Sequence, residues 1–440
     1  MTHHKDPLKT ILLGFLTIIL TGTALLLLPF ATKGGSLRFV DALFMSTSAV
    51  CVTGLSVVSL THLSIFGQLV ILALIQIGGL GYMSLTSLLL LSLKGSLSFD
   101  DKLALKESFS YPTMHDLVGF FKRILLFVFI CEVVGAILLT LVFAKRFGAG
   151  SIYYGIFHAV SAFNNAGFSL FPTSFVGYKY NVLLNATVIT LIVLGGIGFL
   201  VIDELILFIT GRVKRISLHT RIVISVTLFL IVVPALLMMI IEHNGILENH
   251  SILKDMLVSL FQSVTTRTAG FNTIDLNYMH SSTLFLFVIL MFIGASPSGT
   301  GGGIKTTTAF VVFISIFSYI RGEEEPIVFK RTIPQDVIRR AFVVFSLSFT
   351  FVALVSFILN DLEPFPFLSI LFEVVSAIST VGLSISKTNL SLSASFDTIG
   401  KLIIIMLMFV GRVGLFTFSI ALLKKRRTRH YRLPEGRVYL

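Results

Sequence analysis

The sequence predicts an all-α integral membrane protein: four pseudo-symmetric helix, pore-loop, helix repeats around one central pore, with eight transmembrane helices. Three observations carry that prediction. The 440 residues are 55% hydrophobic and only 13% charged, with a mean hydropathy of +0.94, a composition that places the chain in a bilayer. One motif recurs four times. Long apolar runs alternate with short ones in step with that motif, so each unit reads as span, half-length segment, glycine loop, span.

The motif is Phe-Glu-Val-Val-Ser-Ala-Ile-Ser-Thr-Val-Gly-Leu-Ser from Phe372 to Ser384. Its other copies run from Phe44 to Ser56, Phe157 to Ser169 and Phe261 to Asn272, each with Ser or Thr four residues after the Phe. The glycines, Gly54, Gly167, Gly270 and Gly382, lie 113, 103 and 112 residues apart, the signature of an internal repeat. Backbone carbonyls of a Thr-Val-Gly triplet can replace the hydration shell of a potassium ion when four loops close a ring. Glycine serves there because, without a Cβ, it reaches positive φ cheaply. The triplets concerned are Val52-Thr53-Gly54, Asn165-Ala166-Gly167, Thr268-Ala269-Gly270 and Thr380-Val381-Gly382. A single such glycine would read as a packing residue of a membrane helix; four aligned copies favour the ring.

In chain order, Thr10 to Phe30 is an apolar run that as a helix matches the hydrocarbon thickness of about 30 Å. No small-residue cleavage site follows it, so it reads as a retained span and not a signal peptide. Leu37 to Val50 is too short to cross and reads as a re-entrant half-helix. Phe66 to Leu93 completes a first repeat over residues 1–96. The second (97–213) has spans at Val118 to Ala144 and Val182 to Ile209 around a half-helix from Ile152 to Phe163. The third (214–322) has Ile222 to Ile241, a half-helix at Ile252 to Thr266, and the interrupted apolar stretch Leu284 to Ile320. The fourth (323–440) has Ala341 to Leu359, a half-helix at Phe365 to Ser379, the span Leu402 to Leu423, and a basic tail.

The net charge of +12 sits in short loops between apolar spans, which argues for orientation signals and against nucleic acid. On the side of the termini 23 Lys and Arg residues collect, against nine on the side of the glycine loops, Arg267 among them. The positive-inside rule therefore puts both termini in the cytoplasm of a multi-pass plasma-membrane protein. Each half-helix then aims the negative end of its dipole at the membrane centre, which selects a cation. Among acidic residues in spans, Asp203 and Glu204 are expected at the cytoplasmic interface. Glu132 is either half of a buried ion pair or a pathway residue. Cys51 and Cys131 lack metal-ligand spacing and are expected to pack as small hydrophobes.

Within the third repeat, Gly294 to Thr308 contains Pro297, Gly299, Gly301, Gly302 and Gly303, which no continuous helix tolerates. The chain must unwind at membrane depth, where irregular backbone survives only along a cavity. A phosphate-binding Walker loop is the competing reading, but Ile304 separates the glycines from Lys305 and no soluble strand precedes them. An enzyme reading survives only through that failed match. Lys305 and Arg412 are basic residues well inside spans, costing about 2.5–3.5 kcal/mol each at a helix centre unless a polar destination exists. Arg412 stands where the first and second repeats carry Gly79 and Gly196. It is too far from the basic tail to snorkel, at roughly 15 Å of helix, and is expected to pair with carbonyls of the unwound loop.

The four filters, the spans, Gln76-Ile-Gly-Gly-Leu-Gly81, the broken span and Arg412 together resemble the Trk/Ktr/HKT superfamily of potassium transporters over almost the whole chain. The absence of extra spans before Thr10 makes the sequence most similar to the membrane subunits of bacterial Ktr systems. That resemblance implies potassium as substrate held at the filter carbonyls, sodium as a candidate activator, and no cofactor in this chain. It further implies a homodimer in membrane lipid, on a cytoplasmic ring of nucleotide-binding regulatory subunits that alone carry nucleotide. The loop Ser298, Gly299, Thr300, Gly301, Gly302 and Gly303, with Lys305 and Arg412, takes the place of the family's gate. Only the fourth filter reads Thr-Val-Gly, which implies looser selectivity than a symmetric channel; glycine at Gly54, where sodium-preferring plant relatives carry serine, implies potassium. A sodium or sodium/potassium secondary transporter on the same fold is the alternative.

Overall fold

Apolar runs become helices wherever the backbone groups must be satisfied within the segment. The computed structural model describes residues 7–81, 117–247, 251–323 and 325–414, which hold fourteen α-helices. They are α1 (Pro7–Leu26), α2 (Phe39–Val50) and α3 (Ile65–Leu80) in the first repeat. The second holds α4 (Leu117–Phe147), α5 (Ser151–Phe163), α6 (Val182–Gly196) and α7 (Phe199–Ile209). The third holds α8 (Leu218–Ile241), α9 (Ile252–Thr265), α10 (Ser281–Phe292) and α11 (Thr306–Ile320). The fourth holds α12 (Gln335–Leu362), α13 (Phe367–Ile378) and α14 (Thr398–Val413).

The short helices α2, α5, α9 and α13 coincide with the four expected half-helices to within two residues at either end. Each is anchored by the motif phenylalanine: Phe44, Phe157, Phe261 and Phe372 are all 0% exposed, so the aromatic ring is core in every repeat. In the first, second and fourth repeats the short helix packs between the flanking helices of its own repeat, in the third it packs on α8, and the helix that follows each short helix packs on the short helix of the next repeat. Thus α3 meets α5, α6 meets α9, α10 meets α13, and α14 returns to α2. The circle is closed by a salt bridge at the last junction, Lys401 Nζ to Asp41 Oδ1 at 2.9 Å.

That packing explains the paired glycines. Gly78, Gly195 and Gly411 each lie against the carbonyl of the last residue of the preceding short helix, Val50, Phe163 and Ile378, where an added Cβ would collide with backbone. Small residues permit this approach of helix backbones.

Two expectations are corrected here. The span Val182 to Ile209 is not one helix: α6 and α7 meet at 99°. Gly198 between them has φ +101, outside any helix, and frees the amide of Phe199 to donate to Ser298 O at 3.1 Å. The second correction is a small antiparallel hairpin in the otherwise helical chain, pairing Ile327–Val328 with Arg331–Thr332 in the loop before α12. Among the described residues three helical runs are long and apolar enough to cross a membrane, Val118–Phe163, Leu218–Ile241 and Gln335–Leu362, with the bent pair as a fourth. Residues 82–93 and 415–423 of two expected spans, Glu324 and the basic tail lie outside the described residues.

Replacing Gly411 with Ala drives a Cβ into the Ile378 carbonyl and is expected to destabilise the protein by about 1–3 kcal/mol, the usual scale of overpacking. Gly34→Ala, at a position with open space, is the control. Thermal unfolding in detergent checks it: equal melting of the two variants contradicts the packing described.

Candidate ion-binding site

After each short helix the chain makes the same turn. The residue two before the glycine adopts positive φ: Val52 (56°), Asn165 (57°), Thr268 (70°) and Thr380 (51°). The glycines follow at 93°, 70°, 79° and 93°. Positive φ is unusual for any side-chain-bearing residue and an outlier for β-branched ones, at a cost on the order of 1–3 kcal/mol each. Sequence reasoning placed the backbone strain on the glycines alone. Residue type gave no hint of the second site, because Val and Thr are poor choices for that conformation.

The four turns meet. A Cβ built on Gly54 would strike Ala166 O at 2.5 Å, and one on Gly167 would strike Ala269 O at 2.8 Å. Gly270 lies against Val381 O in the same way, and Gly382 against Thr53 O. Each glycine therefore abuts the carbonyl that precedes the next repeat's glycine, and the series closes on itself. All eight non-glycine residues of the triplets are fully buried.

The Ser or Thr of the motif, to which sequence reasoning gave no role, ties each turn to its helix. Ser48 Oγ accepts from Gly54 N (3.1 Å) and Ser376 Oγ from Gly382 N (3.0 Å). Ser161 Oγ donates to Phe168 O (2.8 Å) and Thr265 Oγ1 to Phe271 O (2.6 Å). One residue after the motif phenylalanine, a second set grips the loop beyond the glycine. His158 Nε2 bonds Ser169 Oγ at 3.0 Å, Gln262 Nε2 donates to Thr273 Oγ1 at 3.3 Å, and Glu373 accepts from Ser384 Oγ at 2.5 Å and from Ser393 N at 3.0 Å.

One face of the ring opens on a cavity of about 250 Å³, lined by the four glycines and by Ser56, Ser169, Asn272 and Ser384 just after them. Hydroxyl and amide groups of this kind suit a hydrated cation. The opposite face meets the unwound loop between α10 and α11. An added Cβ would meet Thr268 Oγ1 at Gly301 and Thr380 Oγ1 (2.7 Å) at Gly302. Gly302 N donates to Thr380 Oγ1 at 2.8 Å. Thr300 N and Ser296 N donate to the carbonyls of Gly195 and Gly196 at 3.2 and 3.1 Å, Gly299 packs on Gly196 O, and Gly303 takes φ +72.

The two cations beside the loop are satisfied by carbonyls. Lys305 Nζ donates to Gly301 O at 2.8 Å, and Arg412 donates to Thr300 O, to Gly78 O and, at 3.3 Å, to Gly79 O. Arg412 thus joins the loop to the first repeat. Among the described residues no carboxylate pairs with either cation.

The other charged residues each have specific partners. Asp203 is buried and pairs with Arg123 at 2.6 Å. Glu204 accepts from Ser217 N (2.5 Å), Ser217 Oγ (2.7 Å) and Thr220 Oγ1, so it caps the start of α8. Among the described residues Glu132 has no basic partner, and Gln76 and Asn164 donate to its two oxygens, each at 3.1 Å. Arg267, counted with the outer-loop basic residues, is buried directly before Thr268, with Nη1 donating to Thr227 O at 3.4 Å. Its place in the motif, opposite Cys51, Asn164 and Ser379, was the available signal. Cys51 is buried and Cys131 half-buried; both are free thiols.

The sequence model of the TrkH family, described as cation transport protein, matches residues 8–430. The Ktr system potassium uptake protein B of Bacillus subtilis (strain 168) is 38% identical over 437 residues, covering 98% of this chain and 96% of that protein. The potassium/sodium uptake protein NtpJ of Enterococcus hirae is 38% identical over 445 residues, covering 99% and 97%. The crystal structure of the potassium transporter TrkH from Vibrio parahaemolyticus shares the fold, with a TM-score of 0.75 at 19% identity, over 96% of this chain and 86% of that one.

Thr380→Val removes the acceptor of Gly302 N while keeping the side-chain shape. A buried amide left unpaired costs about 1–3 kcal/mol, so the loop should open more often. Hydrogen–deuterium exchange over residues 294–305 is expected to speed up; unchanged exchange at Gly302 would show that this bond does not hold the loop.

Proposed function

From the premise that the chain belongs to the TrkH family of cation transport proteins, we propose that it takes up potassium through a channel-like pore. The closed ring of Gly54, Gly167, Gly270 and Gly382 carries the proposal. In this reading the carbonyls of the four triplets form the selectivity filter, and eight spans in four repeats surround one pore. Ser298 to Gly303, Lys305 and Arg412 form a gate at mid-membrane. A cation that leaves the ring on the face opposite the cavity meets this loop, and the charges of Lys305 and Arg412 add a barrier to its passage.

The protein acts as a transporter and not as an enzyme, with potassium as cargo and sodium as a candidate activator. It lies in the plasma membrane with both termini in the cytoplasm, as the distribution of Lys and Arg supports. The similarity to NtpJ, a potassium/sodium uptake protein, keeps a sodium or sodium/potassium transporter as the second reading. Relatives named as proteins of a Ktr system support a partner component; in this reading the chain is a homodimer and that partner is a cytoplasmic nucleotide-binding regulatory subunit. Copurification with such a subunit, in each nucleotide state, tests that part; no association in any state removes it.

Two variants separate filter from gate in reconstituted vesicles. Gly382→Ser adds a Cβ at φ +93 against Thr53 O and should raise sodium permeation relative to potassium. Arg412→Ala, or shortening Gly299 to Gly303, should raise potassium flux and leave ion preference unchanged. An unaltered ion ratio in folded Gly382→Ser protein would remove the filter reading. Transport abolished by loop shortening would make the loop part of the path or the fold.

A further inference from the structure

The second repeat carries neither the Thr-Val-Gly of the fourth nor the Val-Thr-Gly of the first, and its turn is held from outside its own short helix. Asn164 caps α5, is fully buried and directly precedes Asn165 of the ring. Its Nδ2 donates to Gln76 Oε1 (2.9 Å), Glu132 Oε1 (3.1 Å) and Val160 O (2.9 Å), and Gln76 Nε2 donates to Glu132 Oε2 (3.1 Å). Gln76 lies two and three residues before Gly78 and Gly79, whose carbonyls accept from Arg412.

Glu132 sits halfway along the 31-residue helix α4, and among the described residues no basic side chain pairs with it. Charge at that depth is costly, yet both carboxylate oxygens accept from amide N–H groups, an arrangement that a neutral amide with its one acceptor oxygen would not reproduce. The carboxylate also stands at the C-terminal end of α5, which is already negative through the helix dipole. Among the described residues the cation that reaches this corner, Arg412, is spent on the carbonyls of Gly78 and Gly79 and pairs with no carboxylate, so the two negative sources favour a mobile cation nearby. The equivalent corner of the third repeat is the opposite case, since Arg267 occupies the place of Asn164 there.

We propose that Glu132 is a positioning residue that sets the affinity for the transported cation. It holds the turn of the second repeat through Asn164 and Gln76, and its charge raises occupancy of the ring. The proposal rests on the reading of the ring as the ion site.

The test is potassium-dependent uptake by the full-length protein in vesicles, with Glu132→Gln and Glu132→Asp compared after checking fold by melting and gel filtration. Glu132→Gln should raise KM about tenfold, the scale of one charge–charge interaction in a partly solvated site, with maximal rate within about twofold of the parent. Glu132→Asp, which keeps the charge, should raise KM less. An unchanged KM in Glu132→Gln overturns the proposal, as does a loss confined to maximal rate in both variants, which a purely structural residue would give. Gly382→Ser measured alongside separates the two readings: if it alters the ion ratio while Glu132→Gln alters nothing, the ring stands and the role of Glu132 falls. If neither alters anything, the ring falls too.

Discussion

The contact on which the rest of the molecule depends is the one between a glycine Cα and a carbonyl oxygen of the next repeat. It occurs four times and leaves no room for a methyl group at any of them. For four turns to approach this closely, four helix ends must converge, and a helix end brought into the interior exposes carbonyls that need partners. Amides of the turns supply partners, Thr53 N to Ser48 O, Ala166 N to Ser161 O, Ala269 N to Thr265 O and Val381 N to Ser376 O, while the side chain of the motif Ser or Thr ties the turn back and the strained residue two before each glycine redirects the chain. The glycines of α3, α6 and α14 follow from the same requirement one layer out, since those helices must come close enough to wall the convergence.

Around the ring and the loop, among the described residues, charge is handled without ion pairs. Lys305 and Arg412 donate to carbonyls, whereas Glu132 and Glu373 accept from amides and hydroxyls. Opposite charges that neutralised each other would leave little field for a third ion. Kept apart, the carboxylates lie behind the second and fourth repeats and the cations lie on the loop face, so a positive ion meets unlike surroundings on either side of the ring.

Much of this was legible in the sequence because it is periodic. Four copies of a motif, thirteen residues long in three repeats and twelve in the third, located the short helices to within two residues, and the Pro297 and Gly299 to Gly303 run announced the unwound segment. Arg412 was assigned to the loop carbonyls from its depth alone, and it bonds Thr300 O. What escaped the reading was conformational or pairwise. Thr380 and Val52 adopt positive φ although their residue types disfavour it, because neighbours in three dimensions over-determine them. The partners of Asp203 and Glu132 lie 80 residues away at Arg123, and 56 and 32 residues away at Gln76 and Asn164, distances no local pattern encodes. The bend at Gly198 was hidden inside a run hydrophobic enough to pass as one span.

The salt bridge between Lys401 and Asp41 joins residues 360 apart, and it has a consequence for biogenesis. The helix α2 emerges near the start of synthesis, but α14, which covers its far side, emerges near the end. Until then the first repeat sits in the bilayer with one flank open. Closure is therefore a late and strongly non-local event, of the kind that slows folding and exposes intermediates to aggregation. A chain cut short before α14 leaves α2 without its neighbour from the last repeat and α13 without the helix that follows it, so an unfinished protein differs from a finished one by two uncovered short-helix flanks.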